Sequence, residues 1–77
     1  MVVLKNIKKN KNIVECDYYP ENGEIFRHMK VNTDTGDIVE DTRKENEMFM
    51  AVPHVRRTLA SFKNEQSIPK EKTIMWY

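Results

Sequence analysis

Residues 12–40 alternate strand-forming stretches with turn sequences, and this pattern constrains the fold more than any other feature of the chain. Over residues 13–19, apolar side chains alternate with polar ones, which is the period of a strand that buries one face. The turn at residues 32–37 contains Gly36, which can adopt the positive φ that tight turns favour. Strand-forming residues 38–40 follow. The sequence therefore predicts a β-hairpin closed by this turn.

Three further stretches have strand-like composition. Residues 2–7 form a short apolar run before a polar loop. Residues 24–31 follow the sequence Pro-Glu-Asn-Gly at residues 20–23, which favours a β-turn. Residues 73–77 are β-prone and can pair with an edge of the sheet. Together with the hairpin, these stretches predict an antiparallel sheet of four to five strands.

The stretch at residues 24–31 has a less regular pattern than its neighbour. Its odd-numbered positions place Ile25 on the apolar side together with Met29 and Val31, although Arg27 interrupts that side. The opposite side mixes an aromatic ring with ionisable groups: Phe26, His28 and Lys30. We therefore expect Ile25 to be buried, and we expect the register of this strand to be less strongly specified.

Helical periodicity follows the strands. Apolar side chains recur at the spacing of one helical stripe in this order: Val52, Val55, Leu59 and Phe62. Pro53 favours a start near Val52, because the first turn of a helix does not need the N–H that proline lacks. An alternative helix includes residues 47–50 and kinks at Pro53. The predicted fold is an α+β domain of order β-β-β-β-α-β, with one helix packed on one face of the sheet.

Composition limits the chain to one small domain. It has 77 residues, of which 32% are charged and 39% hydrophobic, as is typical of a soluble globular protein. No apolar run approaches the roughly 20 residues of a membrane-spanning helix, and we expect no secretory signal. The single cysteine, Cys16, cannot form an internal disulfide and fits a reducing compartment. We therefore expect one cytoplasmic domain over residues 1–77.

The ionisable residues predict no catalytic or cofactor site. Cys16 with His28 or His54 could form a nucleophilic site if an acid such as Asp17 oriented the imidazole. However, a free cysteine at an apolar strand position usually behaves as a small hydrophobic residue. Glu15 and Asp17 share the polar side of one predicted strand, where neighbouring carboxylates are common surface groups. We therefore expect a protein that is not an enzyme and that has no cofactor and no metal site.

The sequence favours a small non-catalytic protein-interaction or accessory domain. It contains more large apolar side chains than one helical stripe and one sheet face need, and self-association into a homodimer would bury some of them. The residues that we expect to contact a protein partner, or a second copy, are Phe49, Met50, Trp76 and Tyr77. The alternative is that these residues complete the core, with Trp76 packed on Leu59 and Phe62.

A nucleic-acid-binding domain is the second hypothesis. The residues that we expect to contact a polyanion are Lys8, Lys9, Lys11, Arg56 and Arg57. Aromatic rings near them could stack on bases. The net charge is only +1, however, and ten acidic residues lie within residues 15–47. Because the basic ends and the acidic middle can neutralise each other once the strands pair, we favour a protein partner over nucleic acid.

Three segments resemble a family of small uncharacterised bacterial proteins of about this size. They are residues 17–21, 35–40 and 69–77. The resemblance extends over most of the chain and implies a bacterial cytosolic origin, but it carries over no functional residue. The hairpin sequence Thr-Gly-Asp-Ile-Val at residues 35–39 is also similar to a hairpin of PepSY-type domains, which are usually exported or membrane-linked, whereas we expect neither property here.

Overall fold

The computed structural model describes residues 1–20, 25–44 and 50–75. In this part of the chain the elements are β1 (Val2–Asn10), β2 (Ile13–Tyr19), β3 (Arg27–Asn32), β4 (Ile38–Asp41), α1 (Val52–Ala60) and β5 (Lys72–Ile74). The strands form one antiparallel sheet in the order β4-β3-β2-β1-β5. The predicted α+β class and the order β-β-β-β-α-β are confirmed.

The hydrophobic core lies between α1 and one face of the sheet. The central strands contribute side chains from alternate positions: Val14, Cys16 and Tyr18 from β2, and Met29 and Val31 from β3. The helical side contributes Val52, Val55, Leu59 and Phe62. The predicted helical stripe is therefore confirmed. Strand β1, between β2 and β5, adds Val2, Leu4 and Ile7.

The helix begins where proline favours it. Val52 is the first residue of α1, and Pro53 lies in its first turn. Met50 lies in a turn and is 80% exposed, so the alternative helix does not include that residue. The other positions of that alternative, residues 47–49, lie outside the described residues.

The start of β3 differs from the prediction. The ladder between β2 and β3 ends at the pair Tyr18–Arg27, so Ile25 and Phe26 precede the strand. Ile25 is 65% exposed, and its predicted burial is wrong. Alternate side chains of β3 point into the core only where β3 is paired with β2. Because the ladder ends before Ile25, this side chain is not held over the core. Burial of Met29 is confirmed.

A β-bulge in β1 changes which of its side chains reach the core. Lys5 lies opposite Asp17 and Lys8 lies opposite Glu15, so β1 has one more residue than β2 between these pairs. Asn6 has a φ of 56°, in the left-handed region that asparagine tolerates better than most residues. The extra residue reverses the alternation, so that Leu4 and Ile7 are both buried.

Within the ranges that the structure describes, no helix is both long enough and apolar enough to cross a membrane.

Substituting Leu59 by alanine should test the packing of α1 on the sheet. Leu59 is fully buried in the core, so Leu59→Ala should lower the free energy of unfolding by about 3 kcal/mol. Arg57→Ala, at an exposed position of the same helix, should change it by no more than about 0.5 kcal/mol. Urea titration measures both values. Equal effects of the two substitutions would contradict the described core.

Candidate functional site

The face of the sheet opposite α1 is the candidate site, and we call it the open face. Its central part carries ionisable side chains from four strands: Lys5 and Lys8 of β1, Glu15 and Asp17 of β2, His28 and Lys30 of β3, and Glu40 of β4. These side chains are half-buried or exposed. The open face is therefore polar and solvated at its centre, as in antiparallel sheets with one buried face.

Opposite charges face each other across the strands of the open face. Lys5 lies opposite Asp17, and Glu15 lies between Lys8 and Lys30. Lys30 Nζ is 3.5 Å from Glu40 Oε2. Cross-strand pairs of this kind add little stability each, because both partners are partly exposed. Their main consequence is that the charges of the open face are neutralised within the chain.

His28 connects the two carboxylates of β2. Its Nδ1 lies 2.8 Å from Asp17 Oδ1, and its Nε2 lies 3.2 Å from Glu15 Oε1. Both neighbours are acceptors, and only the protonated imidazole can donate from both nitrogens at once. The sequence suggested contact of Asp17 with His28 or His54 only within a nucleophilic site that included Cys16, and it otherwise predicted Glu15 and Asp17 as surface carboxylates. The signal that it missed is that His28 lies directly opposite Asp17 in the ladder.

Asp17 has two side-chain hydrogen-bond partners on the open face, Asn6 and His28. Burial by itself raises its pKa, but hydrogen bonds from the His28 side chain and from Asn6 outweigh that effect and hold the pKa below its ordinary value of 3.8. Asn6 Nδ2 donates to Asp17 Oδ2 at 2.9 Å, and Asn6 is the residue with positive φ in the bulge. The bulge therefore positions one of the two donors that keep Asp17 charged.

Cys16 is not part of the cluster around His28. Its side chain points into the core on the other side of the sheet and is fully buried. Burial, with smaller contributions from the charges of Asp17 and Glu15, raises the pKa of the thiol from 9.0 to about 12. The thiolate that a nucleophile or a metal ligand requires is therefore strongly disfavoured.

The cluster around His28 also differs from a metal site. Both imidazole nitrogens are in direct hydrogen-bond contact with carboxylate oxygens, which leaves no space for an ion between them. Across residues 1–20, 25–44 and 50–75, no three histidine, cysteine or acidic side chains have an arrangement suited to a metal ion.

One end of the open face is apolar, and we call this surface the apolar strip. It consists of Val3, Tyr19 and Phe26, which the β1–β2 ladder and the ring contact join, and of Met1 and Met75, which continue the alternation of β1 and β5 on the open face. The rings of Tyr19 and Phe26 are in contact, with their centroids 5.3 Å apart, and Lys5 Nζ lies 5.1 Å from the Tyr19 centroid. Val3 lies opposite Tyr19 in the ladder. The strip thus crosses the sheet from the start of β3 to β1.

Large side chains in the apolar strip are well exposed. Met1 is 45% exposed, Phe26 is 48% exposed and Met75 is 64% exposed. Grouped apolar exposure of this kind is typical of interaction surfaces, whereas single exposed apolar residues are not informative. The sequence pattern places Phe26 on the side away from the core, but it does not reveal the strip, because the members come from four separate segments.

The residues predicted to contact a protein partner are only partly described. Met50 is exposed and adjoins the start of α1, so it does not belong to the apolar strip. Phe49, Trp76 and Tyr77 lie outside the described residues. The prediction for these three residues is therefore not tested. In the sequence, Met75 of the apolar strip directly precedes Trp76.

The residues predicted to contact a polyanion are distributed over the molecule. Lys9 Nζ donates to the carbonyl oxygens of Phe62 and Lys63, at 2.9 Å and 2.6 Å, just beyond the C-terminus of α1. Arg56 Nη1 donates to the carbonyl oxygen of Gly36 at 3.0 Å. Both side chains therefore hold the helix against the sheet and its turns. The remaining three lie at separate places: Lys8 on the open face, Lys11 in the β1–β2 turn and Arg57 on α1.

Comparisons of this chain with protein-family models, with curated proteins and with solved structures found no match. The function is therefore inferred from the surface itself, because a fold of this class does not define a function.

Replacing Asp17 by asparagine should make folding stability depend less on pH. The charged carboxylate is favoured in the folded state, so its contribution is present above the ordinary pKa of 3.8 and is lost as the pH falls through the lower pKa of the folded protein. Between about pH 6 and about pH 2, the wild type should therefore lose more unfolding free energy than Asp17→Asn. Urea titrations at several pH values measure the difference. Parallel pH profiles would show that Asp17 does not have this role.

Replacing Lys9 should show that this lysine is structural. Lys9→Met removes hydrogen bonds from a charged donor to the end of α1 and should lower the free energy of unfolding by about 1–2 kcal/mol. Lys11→Met, at an exposed turn position, should change it by less than about 0.5 kcal/mol. Thermal or urea unfolding of both variants gives the comparison. If both variants match the wild type, the contacts of Lys9 do not stabilise the helix end.

Proposed function

We propose that this chain is a small non-catalytic interaction or accessory domain of the cytoplasm, which binds a protein through the apolar strip and can also self-associate. The observation that carries this proposal is the exposure of Met1, Phe26 and Met75 along one row at the end of the open face. A free, buried cysteine is compatible with a reducing compartment. The bacterial origin that the sequence resemblance implies stays a prediction.

The composition of the apolar strip suits a protein partner. Aromatic residues and methionine are enriched at protein interfaces, and methionine adapts its shape to the surface it meets. Full burial of a large apolar side chain contributes about 1.5–3 kcal/mol, so covering the exposed parts of Met1, Phe26 and Met75 offers a useful gain on binding. Lys5 and the charges beyond it provide the polar rim that surrounds such a surface.

The charges of the open face favour a protein over a nucleic acid. Binding to phosphates needs cations that are free to replace counterions. Lys8 and Lys30 instead lie opposite Glu15, and Lys9 and Arg56 donate to backbone carbonyls. The nucleic-acid hypothesis therefore has less support than the protein hypothesis.

The non-catalytic part of the proposal is supported by the separation of the reactive groups. Cys16 faces the core, whereas His28 and Asp17 face the opposite side of the sheet. A nucleophile and a base must lie within hydrogen-bond reach of each other for the mechanism considered in the sequence analysis. The sheet itself keeps these groups apart.

Site-specific photo-crosslinking should test the apolar strip. A benzophenone amino acid at position 26 should give a discrete protein adduct in cells of the source organism, because Phe26 lies in the proposed contact. The same amino acid at position 57, exposed on α1, should not give that adduct. The adduct at position 26 should also disappear when Met75→Glu places a charge in the strip. Equal adducts at both positions, or none at position 26, would contradict the proposed function.

A further inference from the structure

We infer that two copies of this chain pair through β5, edge to edge and antiparallel, so that the two sheets become one continuous sheet. This inference rests on the self-association part of the proposed function. It specifies the strand that pairs, the register of the pair and the residue that lies on the two-fold axis. The evidence is the different character of the two sheet edges and the position of β5 beside the apolar strip.

Strand β4 forms one edge of the described sheet and is protected against pairing. Its register with β3 shifts between Lys30 and Val31, which leaves Val39 in a bulge. The strand ends in Glu40 and Asp41, so a second copy would bring acidic groups close together. A bulge and charged side chains are both devices that prevent edge-to-edge association.

Strand β5 forms the opposite edge of the described sheet and, unlike β4, has no bulge. Its pairs with β1 are regular, from Leu4–Lys72 to Val2–Ile74. Its charged side chain, Lys72, lies on the core side of the sheet, with Nζ 5.7 Å from the centroid of Phe62. Thr73, on the open face, is exposed and β-branched. A regular edge without a charge on its open face is suited to pair with another strand.

The geometry of β5 makes a second copy the matching partner. An antiparallel pair of identical strands is two-fold symmetric, and centring it on the middle residue puts Thr73 opposite Thr73 of the other copy. Lys72 then lies opposite Ile74 of the other copy, so the two lysines do not face each other. With a net charge of +1, the copies have little overall repulsion.

Pairing through β5 would also join the two apolar strips. Thr73 lies opposite Val3, and Val3 lies opposite Tyr19, whose ring contacts Phe26. This row runs from the start of β3 to β5. In the dimer the row continues into the same row of the second copy, so the combined surface is twice as long as that of one chain.

Charge substitutions at the axis should test this dimer by sedimentation velocity over a wide range of concentrations. The wild type should dimerise. Thr73→Glu and Thr73→Lys should each raise the dissociation constant by about tenfold or more, because like charges then face each other. Mixing the two variants should restore a dimer, since the opposite charges attract. The matched substitutions Val39→Glu and Val39→Lys, on the β4 edge, should leave the wild-type dimer unchanged.

A second variant makes the test independent of charge. Directly opposite residues of an antiparallel pair lie close enough for a disulfide. Thr73→Cys should therefore form a covalent dimer on mild oxidation, whereas Val39→Cys should not, and the wild type should not because Cys16 is buried. Circular dichroism checks that each variant is folded.

Two results would overturn the inference. One is a wild type that stays monomeric at every concentration and a Thr73→Cys variant that does not crosslink. The other is a dimer that is insensitive to Thr73 and is lost on substitution of Phe26, which would place the contact on the open face. Neither result decides whether the strip binds another protein, because the crosslinking at position 26 tests that separately.

Discussion

The packing of one short helix on one face of the sheet is the interaction on which the rest of the structure depends. Val55 and Leu59 of α1 are fully buried against the central strands, together with Met29 and Val31 of β3. Because α1 covers only one face, the opposite face of the described sheet must carry side chains that either are stable in contact with water or are available to bind a partner. The charged centre of the open face satisfies the first condition, and the apolar strip satisfies the second.

The basic residues show how so small a domain holds its helix in place. Lys9 reaches from β1 to the carbonyl oxygens beyond α1, and Arg56 reaches from α1 to the turn that contains Gly36. Cations are favourable at the C-terminal end of a helix, where carbonyl groups lack partners. A cluster of lysine and arginine in the sequence is therefore an ambiguous sign of polyanion binding, since some of these side chains are needed for the fold.

Particular residues show where sequence analysis succeeded and where it did not. The alternation in β2 and the stripe from Val52 to Phe62 are local patterns, and both predicted burial correctly. Ile25 continued the alternation of β3 in sequence, but the ladder stops at Arg27 and leaves it exposed. The contacts of His28 with Glu15 and Asp17 depend on the pairing of β2 with β3, which no pattern within either strand specifies.

The sequence by itself determined the fold class, the order of the elements, the start of α1 and most of the core. It could do so because these features depend on the spacing of apolar residues within single elements. Only the tertiary structure decided the β-bulge at Asn6, the cluster around His28 and the apolar strip. Each of these depends on which residues become neighbours across strands, and one extra residue in β1 is enough to change those neighbours.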